Sequence, residues 1–360
     1  MTIRSTNEDA YFAASNSKKG FYSYYGECFD TPEIKHLYAI KGGPGTGKSR
    51  FMRDVSRYAE GLGWKCEYIY CSSDPDSLDG IILSKEEERI GLLDATAPHV
   101  YEPSHPGVRE DMINLGEFWN IETLSRSAEE IEKLSLAKGS AYRKAYRYLC
   151  GVGEMEEIKT SVVSPYIRKA ALSRYAEKLT NGIGRGRGYS VRPALMRSVG
   201  MRGVVGFDTY FAMAESIFLI EDCRGAAQYL MAEILRMALE KQTSIRISHD
   251  PVIPERIDGI FFCDEKIAFV TDTKEPISRP HRRIFTRRFV DTVGFGTVRG
   301  EYNYANRMSG ALLDGAIEAL AEARDIHFAL EEIYMAAMDF EAKENFTKSF
   351  CSSLFGLQNQ

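Results

Sequence analysis

The 360-residue sequence lacks several features that mark whole classes of protein. It has seven cysteines, an odd number, and no C-x-x-C pair, which argues against a disulfide framework or a zinc site. No apolar run approaches the roughly 20 residues that a membrane-spanning helix needs. The first residues also lack the apolar core of a signal peptide. We therefore expect a cytoplasmic protein with reduced thiols and no membrane partner.

An excess of positive charge is absent as well. The formal net charge is −5 at pH 7, which argues against nucleic acid as a general partner. Hydrophobic residues make up 44% of the sequence, which is enough for packed cores, and the length favours two domains.

One short motif organises the N-terminal half. Residues 42–49 satisfy the P-loop or Walker A pattern G-x-x-x-x-G-K-[ST]. The apolar segment 36–40 before the motif predicts a buried strand. After it, Phe51, Met52 and Val55 recur at helical spacing, and Gly61 and Gly63 mark the end of the predicted helix.

The chemistry of a triphosphate explains these residue types. Glycines let the backbone curl until its N–H groups surround a phosphate, and a helix beginning at Lys48 adds its positive N-terminal end. Lys48 is predicted to reach the β and γ phosphates, and the Ser49 hydroxyl to ligate Mg²⁺. The predicted nucleotide contacts are Gly42, Gly43, Pro44, Gly45, Thr46, Gly47, Lys48, Ser49 and Arg50.

An apolar segment ending in Asp94 fits a Walker B strand, whose carboxylate lies behind the Mg²⁺ water shell. The alternative is a turn residue that ends a strand. Ala95 follows, where many ATP-driven motors have a glutamate that activates water, and this weakens the prediction of fast hydrolysis. His99 is a candidate γ-phosphate contact, although a structural role is favoured.

Asp74 and Asp76 follow another predicted strand, residues 66–71. In an open parallel sheet the strand ends on the motif's side face the ligand crevice, so Asp74 and Asp76 are candidates to hold Mg²⁺, a substrate hydroxyl or an attacking water. An Asx-rich turn that caps the next segment explains the same residues equally well.

The remaining N-terminal sequence is helical and charged. We predict a helical hairpin within about residues 122–178, followed by a glycine-rich linker, Asn181-Gly182-Ile183-Gly184-Arg185-Gly186-Arg187-Gly188. This places one domain at residues 1–185 and a second at residues 186–360.

The second half repeats the first at an offset of roughly 180 residues. The aligned segments are 17–21 with 200–204, 37–40 with 217–220, 74–75 with 250–251, 78–81 with 257–260, and 89–93 with 266–270. In this alignment Thr96 falls near Thr273. A second helical hairpin is predicted at about residues 308–345. Where the first copy has its motif, the second has Glu221-Asp222-Cys223-Arg224-Gly225-Ala226-Ala227-Gln228. Two acids there would repel a triphosphate, so we predict a degenerate P-loop-like domain that does not bind nucleotide through this loop.

Two arginine clusters remain unassigned. Either is a candidate arginine finger or a site for a phosphorylated substrate or RNA, although solvated surfaces and ion pairs are the favoured explanation. The clusters are Arg185, Arg187, Arg192, Arg197 and Arg202, and Arg279, Arg282, Arg283, Arg287 and Arg288 with His281.

The segments 42–49, 71–80 and 93–99 resemble a poorly characterised bacterial family of tandem P-loop ATPase-like proteins. The resemblance covers residues 11–119 closely and the rest in architecture only. It implies two P-loop NTPase-like domains, each a parallel sheet flanked by helices, and a nucleoside triphosphate as ligand. Family members carry a recognisable P-loop in both halves, so the sequence at 221–228 departs from the family pattern.

We therefore expect an Mg²⁺-dependent NTPase that hydrolyses ATP slowly and couples hydrolysis to movement between its halves. Lys48, Asp94 and Asp74 are the predicted catalytic residues, and Ser49 and Asp94 the predicted metal site. ATP is preferred because the sequence has no N-K-x-D guanine-reading motif. Two alternatives stay open: a kinase for a small molecule or nucleotide, and a binding module that nucleotide locks without turnover. The protein or small-molecule partner is not identified.

Overall fold

The computed structural model describes residues 2–4, 9–98, 101–184, 188–271 and 279–356. The chain forms two six-stranded mixed sheets, each flanked by helices. Each half of the chain supplies one of these sheets. The architecture is therefore α/β with two tandem halves.

The first half contains, in chain order, β1 (Thr2–Arg4), β2 (Asp9–Phe12), β3 (Ala14–Ser17), β4 (Gly20–Ser23), α1 (Tyr25–Phe29), β5 (His36–Lys41), α2 (Lys48–Gly61), β6 (Lys65–Tyr70), β7 (Leu78–Lys85), β8 (Glu88–Asp94), β9 (Glu110–Asn114), α3 (Ile121–Arg126), α4 (Ala128–Val163) and α5 (Lys169–Thr180).

The second half contains β10 (Val191–Pro193), β11 (Arg197–Gly200), β12 (Gly203–Phe207), α6 (Thr209–Met213), β13 (Ser216–Glu221), α7 (Ala226–Glu240), β14 (Ile245–His249), β15 (Ile257–Phe262), β16 (Ile267–Thr271), β17 (Arg282–Phe285), α8 (Arg299–Ala336) and α9 (Phe340–Leu354).

The two sheets have the same topology. The first has the strand order β2-β6-β7-β8-β5-β9, and the second has the order β10-β14-β15-β16-β13-β17. The aligned segments 37–40 and 217–220 lie in β5 and β13, which hold corresponding positions. The aligned segments 17–21 and 200–204 both span the turn of a short antiparallel pair, β3–β4 in one half and β11–β12 in the other. Thr273 lies outside the described residues.

The expectation of a purely parallel sheet is wrong. β7 runs antiparallel to both β6 and β8, and β15 runs antiparallel to both β14 and β16. Only Glu86 and Glu87 separate β7 from β8, and a two-residue connection joins antiparallel strands because a parallel pair needs a long crossover. β5 still pairs in parallel with its neighbours β8 and β9.

The predicted helical hairpins are also wrong, because α4 and α8 are single helices of 36 and 38 residues. They pack against each other in antiparallel fashion, with Gly151 against Leu312 and Tyr148 against Gly315. This antiparallel pair of long helices is therefore shared between the halves. Among the described residues, no helix is both long and apolar enough to cross a membrane.

The shorter helices are exchanged between the halves. α5 packs on α7, where Ser173 Oγ donates to Glu233 Oε2 at 2.9 Å. α9 packs on α2, and the ring of Phe350 lies 5.3 Å from that of Phe51. The predicted ranges 1–185 and 186–360 thus each supply one sheet, but each also sends a helix to the other sheet.

The sheets also meet at their edges, near β2 and β10. Phe12 and Leu195 exchange backbone hydrogen bonds of 2.8 and 2.9 Å, and β1 pairs in parallel with β12 of the second half. Contacts at the sheet edges, between the long helices and through the exchanged helices therefore help to hold the halves together.

Candidate functional site

The segment 42–49 lies where the sequence predicted it, between the carboxyl end of β5 and the start of α2. Gly45 and Gly47 have φ values of 71° and 76°, which other residues adopt only with strain. Gly47 caps α2, whose residues Phe51, Met52 and Val55 are fully buried. The apolar face predicted for this helix thus anchors it on the sheet and fixes its N-terminal end beside the loop.

Lys48 is folded back over the loop. Its Nζ donates to the carbonyl oxygens of Gly42 and Gly43 at 2.7 and 2.9 Å. The same Nζ lies 3.6 Å from Asp94 Oδ2, and both side chains are largely buried. The ammonium group is therefore fixed at the loop by two carbonyls and a carboxylate.

Asp94 occupies the position predicted for it, at the end of β8 directly beside β5. Its Oδ1 accepts from the Thr96 N–H at 2.8 Å, and Thr96 Oγ1 donates to the Gly42 carbonyl at 2.8 Å. Thr96 therefore ties the segment after β8 to the first residue of the loop. No sequence motif assigns Thr96 a role, although it lies two residues beyond the predicted carboxylate.

Ser49 lies in the first turn of α2, and its Oγ accepts from the Leu78 N–H at 2.9 Å. The Ser49 hydroxyl and the Asp94 carboxylate are hard oxygen donors of the kind Mg²⁺ binds when phosphates and waters complete its shell. Within the described residues there is no cluster of three or more metal-binding side chains. The donor set fits Mg²⁺ bound together with a nucleotide, not a cage built wholly of protein.

The side chains of Thr46 and Arg50, two of the other predicted nucleotide contacts, bond to the protein itself. Thr46 Oγ1 donates to the Gly43 carbonyl at 3.0 Å, which closes the loop on itself. Arg50 is exposed and pairs with Asp54 one turn along the helix, at 3.0 Å. Pro44 lies in the turn between Gly43 and Gly45.

Asp74 lies at the boundary between the halves. Its Oδ1 is 3.8 Å from Arg202 Nε and accepts from the Asp76 N–H at 3.3 Å, the Asx-turn arrangement considered from the sequence. Asp76 pairs with both Arg4 and Arg202. A catalytic role for Asp74 stays a prediction, and the contacts observed for it are structural.

The second half covers the outer face of the loop. A Cβ atom added to Gly45 would lie 2.8 Å from the carbonyl oxygen of Glu331 and 2.9 Å from Met335 Cγ, both at the end of α8. One added to Gly47 would lie 3.5 Å from Nζ of Lys343 in α9. These contacts join residues far apart in the chain, and no motif marks them in the sequence.

An aromatic pair closes the same face. Trp119 packs on Gly43, where an added Cβ would lie 3.2 Å from the indole ring. Its ring centroid is 5.3 Å from that of Tyr334 in α8. The buried Nε1 of Trp119 has no hydrogen-bond partner among the described residues.

The loop of the second half carries its own carboxylate. Gly225, with a φ of 81°, caps α7 as Gly47 caps α2. Both Asp222 carboxylate oxygens accept backbone N–H groups, from Gly225 and Ala227, each at 2.8 Å. These amides are the donors that a phosphate would need, and this is consistent with the predicted loss of nucleotide binding at this loop.

The arginine clusters are largely engaged in structural contacts. Arg192 pairs with Glu67, Arg197 Nε lies 3.3 Å from Asp258, and Arg279 donates to backbone carbonyls near α6. Arg288 stacks on the ring of Tyr175. Arg185, Arg187 and His99 lie outside the described residues.

Comparisons of the chain with protein-family models, with curated proteins and with solved structures found no match. The resemblance to tandem ATPase-like proteins therefore stays an expectation. The case for function rests on the geometry around residues 42–49.

Proposed function

We propose that the 42–49 loop binds Mg²⁺·ATP and that the chain hydrolyses it slowly, with movement between its halves. One observation carries the proposal. Lys48 is the first residue of α2, directly after Gly47. Its Nζ donates to the carbonyl oxygens of Gly42 and Gly43 and lies 3.6 Å from Asp94 Oδ2. A cation, a helix N-terminus and a glycine-rich loop at one point suit the phosphates of a nucleotide.

Each residue has a role in this proposal. Lys48 exchanges its loop carbonyls for phosphate oxygens, and the loop N–H groups hold the phosphates in place. Ser49 and Asp94 hold Mg²⁺, which neutralises charge on the β and γ phosphates when it is bound. Thr96 holds the loop close to the Asp94 carboxylate, because its Oγ1 donates a 2.8 Å hydrogen bond to the Gly42 carbonyl.

Slow turnover follows from the residue after Asp94. Ala95 is buried and carries no group that could take a proton from water. Phosphoryl transfer depends mainly on positioning and on stabilising charge, so hydrolysis without a dedicated base is expected to be slow. The absence of a base at Ala95 is also compatible with the alternative, a kinase. In a kinase the hydroxyl of the acceptor, and not water, attacks the phosphate.

The test is thermal unfolding of the wild type and of Lys48→Ala, each with and without Mg²⁺·ATP, with phosphate release measured in the same samples. A ligand at 100 times its Kd adds about 2.7 kcal/mol to the free energy of unfolding, so binding gives a clear shift in Tm. We expect the wild type to be stabilised and to release phosphate, and Lys48→Ala to do neither. Lys35→Ala, which removes an exposed lysine, is the control.

The other outcomes are also informative. Stabilisation without phosphate release would favour the kinase or the binding module, and acceptor-dependent release of ADP would select the kinase. If neither ATP nor GTP shifts the Tm of the wild type, the proposal is wrong.

A further inference from the structure

A groove lies between α2 of the first half and α9 of the second. Its volume is about 510 Å³, within the range of roughly 300–1,000 Å³ that is usual for small-molecule sites. Lys48 and Asp94 do not line it, so the groove is distinct from the site proposed for Mg²⁺·ATP. Side chains at four-residue spacing line it from α2, namely Arg50, Asp54 and Tyr58.

The two helices of the groove run side by side in the same direction. Gly47, which caps α2, lies next to Lys343 near the start of α9. Near the other ends of the helices, the rings of Tyr58 and Phe355 have centroids 5.6 Å apart. Both helix N-termini therefore lie at the same end of the groove, beside the 42–49 loop. Because a helix N-terminus carries partial positive charge, this end favours an anion.

Lys343 adds a full positive charge at the same end. It lines the groove, is only 5% exposed, and has its Nζ 3.5 Å from where a Cβ atom added to Gly47 would lie. Among the described residues, its ammonium group forms neither an ion pair nor a hydrogen bond. Burial lowers the pKa of Lys343, and the charge of Asp54 opposes part of this effect. A buried ammonium group without a partner costs free energy, which an anionic ligand would recover.

The other charged side chains that line the groove already have partners. Arg50 Nε lies 3.0 Å from Asp54 Oδ1, and Lys348 Nζ lies 3.1 Å from Glu344 Oε1. Each of these pairs is neutral, so Lys343 carries the unbalanced charge of the groove. A ligand with one anionic group matches this arrangement.

Beyond its charged end the groove has a less polar part. Tyr58 and Cys351 line it there, eight residues beyond Arg50 and Lys343 respectively. Eight residues span about 12 Å along a helix. The groove is therefore long enough for an anionic group at its loop end and an apolar ring or chain beyond it.

We propose that the groove between α2 and α9 binds a small organic anion, whose phosphate or carboxylate group pairs with Lys343 and whose apolar part lies against Tyr58 and Cys351. Such a ligand contacts both halves, because the two helices come from different halves. Its binding therefore strengthens the contact between them. The inference goes beyond the proposed function and does not depend on it, since the contacts do not involve Lys48.

The test is isothermal titration calorimetry with phenyl phosphate, benzoate and phenol, which share a ring and differ in the group attached to it. We expect the wild type to bind at least one of the two anions with a Kd of about 1 mM or below. Phenol, which lacks the anionic group, should bind about tenfold more weakly or not at all. The anion that binds more tightly identifies the preferred group. If neither anion binds in this range, the inference is wrong.

Two lysine variants locate the site. Lys343→Met and Lys348→Met each remove one positive charge from α9, but Lys348 is exposed and paired with Glu344. Lys343→Met should weaken binding of the preferred anion about tenfold or more, because it removes a charge-assisted contact. Lys348→Met should stay within about threefold of the wild type, since exposed ion pairs contribute little. Equal affinities of the two variants would contradict the inference.

The stability of unliganded Lys343→Met separates a binding role from a structural one. The variant should be at least as stable as the wild type in urea denaturation, because methionine fills a similar space without an unpaired buried charge. A clear loss of stability would mean that Lys343 supports the packing of α9, and it would overturn the inference.

The 42–49 loop is the other place where phenyl phosphate can bind, and Lys48→Ala distinguishes it from the groove. If Lys48→Ala loses the probe and Lys343→Met keeps it, the probe occupies the loop. The inference is then wrong and the proposed function is unaffected. If Lys343→Met loses the probe and the wild type fails to bind Mg²⁺·ATP, the inference stands and the proposed function is wrong.

Discussion

Lys48 holds the 42–49 loop together and, in the proposed function, also binds the phosphates. Its Nζ makes two hydrogen bonds to loop carbonyls, at 2.7 and 2.9 Å. Removing them costs about 0.5–1.5 kcal/mol each in a typical protein. Lys48→Ala is therefore expected to be less stable on its own. Only the ligand-induced shift in Tm, and not the Tm itself, reports on nucleotide binding.

Gly45 tests the backbone of the loop directly. Gly45→Ala forces alanine into a φ of 71° and puts its Cβ 2.8 Å from the Glu331 carbonyl oxygen. Left-handed backbone costs about 1–2 kcal/mol for an L-residue, and the contact adds to this. We expect the free energy of unfolding to fall by at least about 1 kcal/mol in urea denaturation, and the affinity for Mg²⁺·ATP to fall as well.

The control for this prediction is Gly61→Ala, at the end of α2. A Cβ at Gly61 meets nothing within 4 Å and needs no left-handed backbone. Its free energy of unfolding should be unchanged or slightly higher. Equal stability of the two variants would show that the loop is not strained in the way described.

At the scale of elements, the sequence predicted what depends on local pattern. The glycines and Lys48 of the loop, the apolar face of α2 and the strand ending in Asp94 are all encoded within about one turn or strand, where periodicity is informative. The strand directions were missed because the Glu86-Glu87 turn has no Asn-Gly signal. The contacts of Glu331 and Lys343 with the 42–49 loop were missed because they join residues far apart in the chain.

The long helices were misread for a related reason. Gly139 and Ser140 interrupt the charged pattern of the first, and such residues usually favour a break. α4 continues through them because its later residues Ala145, Leu149 and Val152 are buried against α8. Tertiary packing here outweighs helix propensity.

Two glycines of α8 test this helix pair. An added Cβ at Gly315 lies 3.0 Å from the Tyr148 ring of α4, whereas one at Gly310 meets nothing within 4 Å. Gly315→Leu should force the helices apart and cost about 1–3 kcal/mol, as overpacking does. Gly310→Leu should instead raise the free energy of unfolding by a few tenths of a kcal/mol or more, since leucine favours helix.

Urea denaturation followed by circular dichroism measures both variants. Similar gains in stability would mean that α4 and α8 do not pack closely at this point. A loss confined to Gly315→Leu would locate the close contact at the middle of the pair formed by α4 and α8.

At the scale of the whole molecule, the halves are joined by charge as well as by strands. Glu67 of β6 in the first half accepts from Arg89 at 2.9 Å and pairs with Arg192 of β10. Arg246 of β14 reaches Asp9 of β2 at 2.6 Å. These groups lie where the two sheet edges meet, so separating the halves would leave charges unpaired.

Burial alone would raise the pKa of Glu67, but Arg192 and Arg246 outweigh it and hold the pKa at about 2, below the ordinary value of 4.5. As pH falls, Glu67 is therefore protonated at a higher pH in the unfolded chain than in the folded protein. The stability from this group is complete above about pH 4.5 and is lost as pH falls towards 2. Acid should loosen the junction between the halves.

Glu67→Gln should remove this dependence. At pH 7 the variant leaves the buried Arg192 without its charge partner, although Arg246 keeps Asp9, and we expect this to cost about 3–5 kcal/mol of stability. Its free energy of unfolding should change less than that of the wild type across the same acidic range, in urea denaturation at a series of pH values. Glu87→Gln, at the exposed turn between β7 and β8, is the matched control and should follow the wild type. Parallel curves for Glu67→Gln and the wild type would show that Glu67 does not join the halves through its charge.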